Sequence, residues 1–321
     1  MGTYIIRRLL TAIPLMIAIS IVLFYLIFAL GDPLARLNQN PRTTQADIAR
    51  MQALYGLDKP LHFRYYYWLR NTFKGDWGES MVTRQAVIPT IRDRLGNTLI
   101  LTGTAFVLTL VIAIPIGLIS ALRQYSWFDH LATGLSFIFY SFPVFFLAFM
   151  LVYVFSVKFG DWGLPKLPSG KMYDVRGDRT LVELAKHLIL PALTIALISA
   201  AVYVRYLRAS MLEVLGQDYI RTARSKGLAH AIVVRRHALK NAALPLVTLV
   251  LLQVATLFSG AVVTETLFAW PGMGLLFIQS AEAVDYPVLM GILVIASGLV
   301  ILFNLVADIV YAFLDPRIRY G

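Results

Sequence analysis

The sequence predicts an all-helical membrane protein. Two observations carry that prediction: long apolar runs and a shortage of charge. Of 321 residues, 58% are hydrophobic and only 15% are charged, where a soluble domain carries about a quarter charged. Mean hydropathy is +0.70. Crossing a hydrocarbon core of about 30 Å takes about 20 apolar residues in a helix. Six windows qualify, at 9–30, 98–122, 131–157, 188–207, 242–267 and 288–314. A barrel would show short alternating segments instead. The expected fold is therefore a six-helix bundle forming a single transmembrane domain over residues 1–321.

The first run follows Arg7 and Arg8. Ala29-Leu30-Gly31 resembles a cleavage site, but the run exceeds the roughly 7–15 residues of a signal core, so it reads as an uncleaved span. In the segment 31–97, Thr44-Gln-Ala-Asp47 marks a helix N-terminus, with Ile48, Met51, Leu54 and Tyr55 on one face. LHFRYYYWLRNTF follows Lys59-Pro60, and Phe63, Tyr66, Tyr67, Trp68 and Phe73 suit a helix lying at headgroup level. Pro14, Pro115, Pro143, Pro191 and Pro245 fall in or at the start of the first five windows. They serve either as kinks in a moving gate or as ordinary packing.

The net charge of +11 does not imply nucleic acid here, because basic residues at membrane boundaries set orientation and touch anionic headgroups. With the N-terminus inside, thirteen of the 29 Lys and Arg fall in cytosolic segments, eight of them between Arg205 and Lys240. The segment 269–287 has none, which fits outside. The expected topology has both termini cytosolic. The 31–97 segment is too long to obey the positive-inside rule, and 158–187, with six basic residues, runs against it.

Nucleotide and hydrolase motifs are missing. Gly170-Lys171 lacks the upstream glycine and following hydroxyl of a P-loop, and no H-E-x-x-H or G-x-S-x-G occurs. The histidines at 62, 130, 187, 230 and 237 show no metal spacing, and cysteine is absent. No catalytic residue, bound cofactor or metal is expected. Ionisable groups inside spans need a reason, since each costs about 2.5–3.5 kcal/mol at a helix centre. Arg205 reads as an anchor near a span end. Asn304 and Asp308, one turn apart, should face the bundle as packing polarity, a salt partner or a substrate contact. Glu265 precedes Trp270-Pro-Gly-Met-Gly274, a candidate re-entrant turn at a gate.

The most informative segment is YVRYLRASMLEVLGQDYIRTARSKGLAHAIVVRRHALKNAALP at 203–245. A short helix is expected at 219–226. Arg221, Arg224 and Ser225 lie on one face and Ile220 and Ala223 on another. The small Ala223 would let a partner approach closely, and Gly227 would stop the helix. A docking helix and a solvated basic loop on lipid both fit these residues.

DYIRTARSKGL at 218–228 resembles the coupling loop of the dipeptide/oligopeptide ABC-importer permeases. Only the last alanine of the general E-A-A tripeptide is kept, at Ala223, and Leu244-Pro245 falls late. Other family-like segments are Gly31-Asp-Pro33, YGLDKP at 55–60, GDWGES at 75–80, FDH at 128–130, SFPVFF at 141–146 and LPSG at 167–170. HLILPALT at 187–194, ETLFAWPGMG at 265–274, DYP at 285–287 and DPRIR at 315–319 complete the set. The long first external loop is similar to that of the first of the two paired permease subunits.

The resemblance implies a type I importer permease in a prokaryotic inner membrane, driven by alternating access. Its partners would be a second homologous permease, two ABC ATPases holding ATP and Mg, an extracytoplasmic substrate-binding protein, membrane lipid and a peptide substrate. Asp218, Tyr219, Arg221, Ala223, Arg224 and Gly227 would carry the coupling. Glu265, Trp270, Asn304 and Asp308 are the candidate path or gate residues. The alternative is a stand-alone proton-coupled transporter using Asp308 or Glu265, which would show repeat symmetry and paired broken helices.

Overall fold

The computed structural model describes residues 2–29, 31–32, 34, 44–174, 177–258 and 260–314. The DPRIR segment with Arg317 and Arg319 lies outside the described residues, as do Leu30, Pro33 and the side chains of Met51 and Leu54. Apart from a lone antiparallel bridge between Glu79 and Ala86, the described secondary structure is helical.

In chain order the helices are α1 (Gly2–Ala29), α2 (Gln45–Leu54), α3 (Leu61–Phe73), α4 (Val87–Leu122), α5 (Trp127–Ser141), α6 (Val144–Asp161) and α7 (Leu181–Leu215). Then come α8 (Asp218–Ser225), α9 (residues 230–242), α10 (Leu244–Thr256), α11 (Val262–Leu267), α12 (Met273–Ala283) and α13 (Tyr286–Leu314). Pro14, Pro115 and Pro191 sit inside α1, α4 and α7. Their neighbours carry on the helical pattern around each missing donor.

Two of the six expected windows are not continuous. Pro143 splits 131–157: Phe142 before it is extended (φ −72°, ψ 130°), as the ring of a following proline requires. The window 242–267 contains α10, of 13 residues, or about 20 Å, and then breaks before α11. Gly260 (φ +85°) and Ala261 (φ −99°, ψ 70°) make that break. Five described helices are therefore long and apolar enough to span: Leu10–Ala29, Val87–Leu122, Val144–Asp161, Leu181–Leu215 and Tyr286–Val310. Hydropathy windows sum composition and do not register a local loss of backbone pairing.

The chain divides into two compact units, residues 1–96 with 272–321, and residues 97–271. In the first, α1 lies along α13. Phe24 and Ile27 form a core with Tyr286, Leu289 and Met290. Arg8 pairs with Asp308 at 2.7 Å. The aromatic helix α3 divides its rings by face. Tyr65 and Trp68 stack on Phe24 at centroid distances of 5.4 and 6.1 Å, while Phe63, Tyr66, Tyr67 and Phe73 are exposed. A second core joins Val87 and Ile91 of α4 to Met273 and Leu276 of α12 and Val288 and Ile292 of α13. The buried Asp285 carboxylate locks the turn before α13, accepting from Ser80 Oγ at 2.5 Å and from the Met81 amide at 3.1 Å.

In the second unit α7 is central. Its most apolar stretch is 56% buried, against 11% for α6 and 33% for α4. It packs on α5, α6, α10 and α11. Gly117 lets α4 meet it closely, since a Cβ there would lie 3.1 Å from both Leu207 Cβ and the Val204 carbonyl oxygen. Asp285→Ala removes two hydrogen bonds to a buried charge, each of the kind that contributes about 1.5–3 kcal/mol. We expect it to lower stability by about 2 kcal/mol, read as a drop in melting temperature in detergent with helical content retained.

Candidate functional site

The helix α8 forms where the sequence places its signals. Gln217 is extended (φ −74°, ψ 149°), and its carbonyl accepts from Ile220 N at 3.0 Å and Arg221 N at 3.3 Å. Asp218 in the first turn and Arg224 in the last complement the helix dipole. Gly227 ends the helix at φ +77°, its amide donating to the Arg224 carbonyl at 3.0 Å, a conformation in which a Cβ is unfavourable.

The helix has two contrasting faces. Ile220 and Ala223 are buried. Asp218, Tyr219, Arg221, Thr222, Arg224 and Ser225 are exposed. This reverses one expectation: Ala223 is small for the sake of this chain's own packing and offers no surface to a partner. Ile220 and Ala223 share a core with Leu207 and Met211 of α7 and with Val233, Val234 and Ala238 of α9. Burying an isoleucine side chain contributes about 1.5–3 kcal/mol, so α8 is pinned from beneath.

On α9, residues Val233–Ala238 form a π-helical turn, a rare geometry that shifts the register of the helix beyond it. Asn241 Nδ2 donates to Tyr219 Oη at 3.2 Å and to the His237 carbonyl at 2.9 Å. An open hollow of about 640 Å³ lies along α9, lined by Ala231, Ile232, Arg235, Arg236 and Lys240. With Arg221, Arg224 and Lys226 exposed on and just after α8, the segment presents a basic, polar surface carried on an apolar foundation.

That foundation is clamped by an ion pair. Arg208, two turns before the end of α7, meets Asp129 in the first turn of α5 side-on: Nε to Oδ1 is 2.6 Å and Nη2 to Oδ2 is 2.8 Å. Ser120 Oγ at the end of α4 also donates to Oδ1. The Tyr125 amide donates to Oδ2 at 2.9 Å from a residue at φ +62°. The Arg208 guanidinium therefore holds the Asp129 carboxyl well below the usual carboxylate range, against the opposing effect of burial. One carboxylate joins three helices at the level from which α8 departs. The FDH segment contains Asp129, yet the sequence assigns it no role, because its partner lies 79 positions away.

The remaining candidates separate by environment. Glu265 is fully buried, accepting from Thr98 Oγ1 at 2.9 Å and the Ala261 amide at 3.3 Å. Trp270 is fully buried too: its Nε1 donates to the Asn97 carbonyl at 2.8 Å, and Asn97 Nδ2 donates to the Pro271 carbonyl at 2.9 Å. Neither side chain faces an open surface; both are held inside the turn at 265–271. Asp308 has a salt partner in Arg8, whereas Asn304 is exposed on the wall of a cavity shared with Arg8, Thr11 and Leu15 of α1. Arg205 lies ten residues inside the end of α7, its guanidinium over the rings of Phe137 and Tyr140 at 5.2 and 4.6 Å. A cavity of about 160 Å³ elsewhere in this unit is lined by Thr102, Thr109, Ser199, Gln253 and neighbouring apolar groups.

A helical membrane chain with a short, exposed basic helix braced on its own core is the membrane component of a transport system. The chain belongs to the family described as binding-protein-dependent transport system inner membrane component, whose model matches residues 113–320, and the N-terminal model of the same systems matches residues 1–102. It is 42% identical to the oligopeptide transport system permease protein AppB of Bacillus subtilis (strain 168) over 100% of both chains. It is 37% identical to the dipeptide transport system permease protein DppB of Escherichia coli (strain K12), over 99% of this chain and 98% of that one. With the glutathione transport system permease protein GsiC of the same strain it shares 39% identity over 100% of both. Its fold is similar to that of a chain of the MetNI methionine ABC transporter in inward-facing conformations, with a TM-score of 0.54, 19% identity and coverage of 71% of this chain and 97% of that one. The fold is that of a type I ABC importer permease, and the chain is a multi-pass permease subunit.

Asp129→Asn leaves Arg208 unmatched in a partly buried site, a loss that costs about 3 kcal/mol when one partner of a buried pair goes. A folded-state pKa below the unfolded value of about 3.9 gives stability that is present above that value and lost as pH falls through the lower one. The stability gap between wild type and Asp129→Asn should therefore be the same at pH 7 and pH 5, closing only below about pH 4, as measured by chemical denaturation in detergent.

Proposed function

We propose that this permease imports di- or oligopeptides, driven by ATPase subunits that dock on α8. The observation that carries the reading is the two-faced α8: apolar side chains fix it to α7 and α9, and a basic face is left for another protein. In this reading Tyr219, Arg221 and Arg224 make the contact, with Asp218 beside them at the helix start. Ala223 and Gly227 set the helix's position and length. The basic segment 205–240 faces the cytosol, both termini lie on that side, and a second homologous permease completes the path.

The peptide assignment rests on AppB and DppB, which align over nearly their whole lengths. The cavity beside Thr102, Thr109, Ser199 and Gln253 supports it chemically. The Thr102 and Thr109 hydroxyls donate to the Thr98 and Ala105 carbonyls, which leaves their oxygens to accept from peptide N–H groups, a polar lining that tolerates varied side chains. ATP and Mg would sit on the partner subunits, and a binding protein would deliver substrate from outside. Energy enters by contact, since a ligand or partner shifts a two-state equilibrium only through its differential affinity for the two states. The proton-coupled alternative is not favoured, because Asp308 is ion-paired and Glu265 is hydrogen-bonded in a packed turn.

The experiment is co-purification of the assembled transporter carrying Arg221→Glu together with Arg224→Glu. Both side chains are exposed, so insertion and melting should match wild type, while ATPase retention and peptide-stimulated ATP hydrolysis fall about tenfold or more, equivalent to about 1.4 kcal/mol of docking. Full retention would remove α8 from the docking interface. Uphill peptide uptake by the purified chain alone in vesicles would overturn the ATP-driven reading.

A further inference from the structure

We propose that His187, Asp174 and Glu183 form a binding site for a divalent transition cation, Zn²⁺ foremost, at the start of α7. The three side chains each direct one ligand atom to a common point, all within 4.8 Å of one another. His187 is 2% exposed. Its Nδ1 lies 2.9 Å from the Gly170 carbonyl and 3.2 Å from that of Lys171. With two carbonyl acceptors beside Nδ1, the tautomer these contacts favour carries its hydrogen there and leaves the lone pair on Nε2. That Nε2 is buried and has no hydrogen-bond partner, and it points at Asp174 Oδ1, 3.7 Å away.

The 3.7 Å separation exceeds a hydrogen bond. It is close to the spacing of about 3.4 Å between two ligands of a tetrahedral ion bound at about 2.1 Å. A ligating histidine ordinarily donates its other N–H to a carbonyl or carboxylate, which fixes the ring and its tautomer; Gly170 and Lys171 already supply that arrangement. Glu183 is positioned independently. Thr180 Oγ1 accepts from its amide at 3.2 Å, and Glu183 Oε1 accepts from the Asp174 amide at 2.6 Å, drawing the loop onto the helix. Two carboxylates balance the charge of a dication, and one imidazole selects Zn²⁺ or its first-row neighbours over Ca²⁺ and Mg²⁺. Asp174 is 76% exposed at the side chain, so water completes the shell and the ion enters from solvent. Histidine spacing gives no hint of this site, because it needs one histidine and takes its other ligands from positions four and thirteen residues earlier.

A bound ion would tie the loop at 170–174 to the first turn of α7. The same loop donates its Lys171 amide to the Phe268 carbonyl at 2.6 Å, so the ion would stiffen the packing around the 265–271 turn as well.

The test is Zn²⁺ binding to the purified, tag-free permease in its complex in lipid discs, by metal analysis after dialysis and by melting temperature with Zn²⁺ titrated in. One ion per chain is expected, with a rise in melting temperature that Ca²⁺ does not reproduce. Asp174→Asn, at an exposed position that leaves the fold intact, should weaken Zn²⁺ affinity at least tenfold, and His187→Gln should abolish binding. Absence of bound Zn²⁺ in the wild type, or equal affinity in wild type and Asp174→Asn, would overturn the site. Transport activity enters neither readout, so this result stands apart from the peptide-import test.

Discussion

The side-on pair between Asp129 and Arg208 is the constraint on which the functional end of the second unit depends. A single carboxylate receives α4 through Ser120, the α4–α5 turn through Tyr125 and α7 through Arg208. Without it, the presentation of the residues just before α8 would rest mainly on packing, which tolerates sliding. Apolar contacts are non-directional, whereas a bidentate guanidinium–carboxylate pair specifies angle as well as distance. The close approach of α4 at Gly117 and the core under Ile220 and Ala223 then fall into register.

The two faces of α8 differ sharply in environment. Ile220 and Ala223 belong to the chain's own interior, and Arg221 and Arg224 are exposed. A helix of eight residues would be marginal by itself in water; its persistence here comes from tertiary burial and from the Asn241–Tyr219 hydrogen bond. The short helix is thus a rigid handle on the core of the second unit.

Much of this is legible in the sequence, and the limits have physical causes. The helix at 218–225 is readable from its acidic start, its 3.6-residue periodicity and Gly227. The helix start at 45 is readable from Thr44, and the aromatic character of α3 from composition. Which face of α8 points inward is not, because amphipathicity gives the contrast between faces and not the identity of the partner; the sequence groups Ala223 with Ile220 as observed, but offers it to close approach by a partner, whereas it packs in the chain's own core. The breaks at Phe142–Pro143 and Gly260–Ala261 are hidden inside uniformly apolar windows. Asp129, Asp285 and Asp174 stay silent because each acquires meaning from a residue supplied by another helix or loop.

α7 runs without a break from Leu181 to Leu215, a shaft of 35 residues and so about 52 Å long. Its C-terminal end leads to the handle and its N-terminal end carries His187, with Pro191 one turn further in as its single missing rung. A tilt of about 5° imposed at the handle would sweep the opposite tip through about 4–5 Å by simple geometry over that length. A rod of that length converts a small angular change at one end into a displacement of several ångströms at the other, with no relay of small rearrangements between.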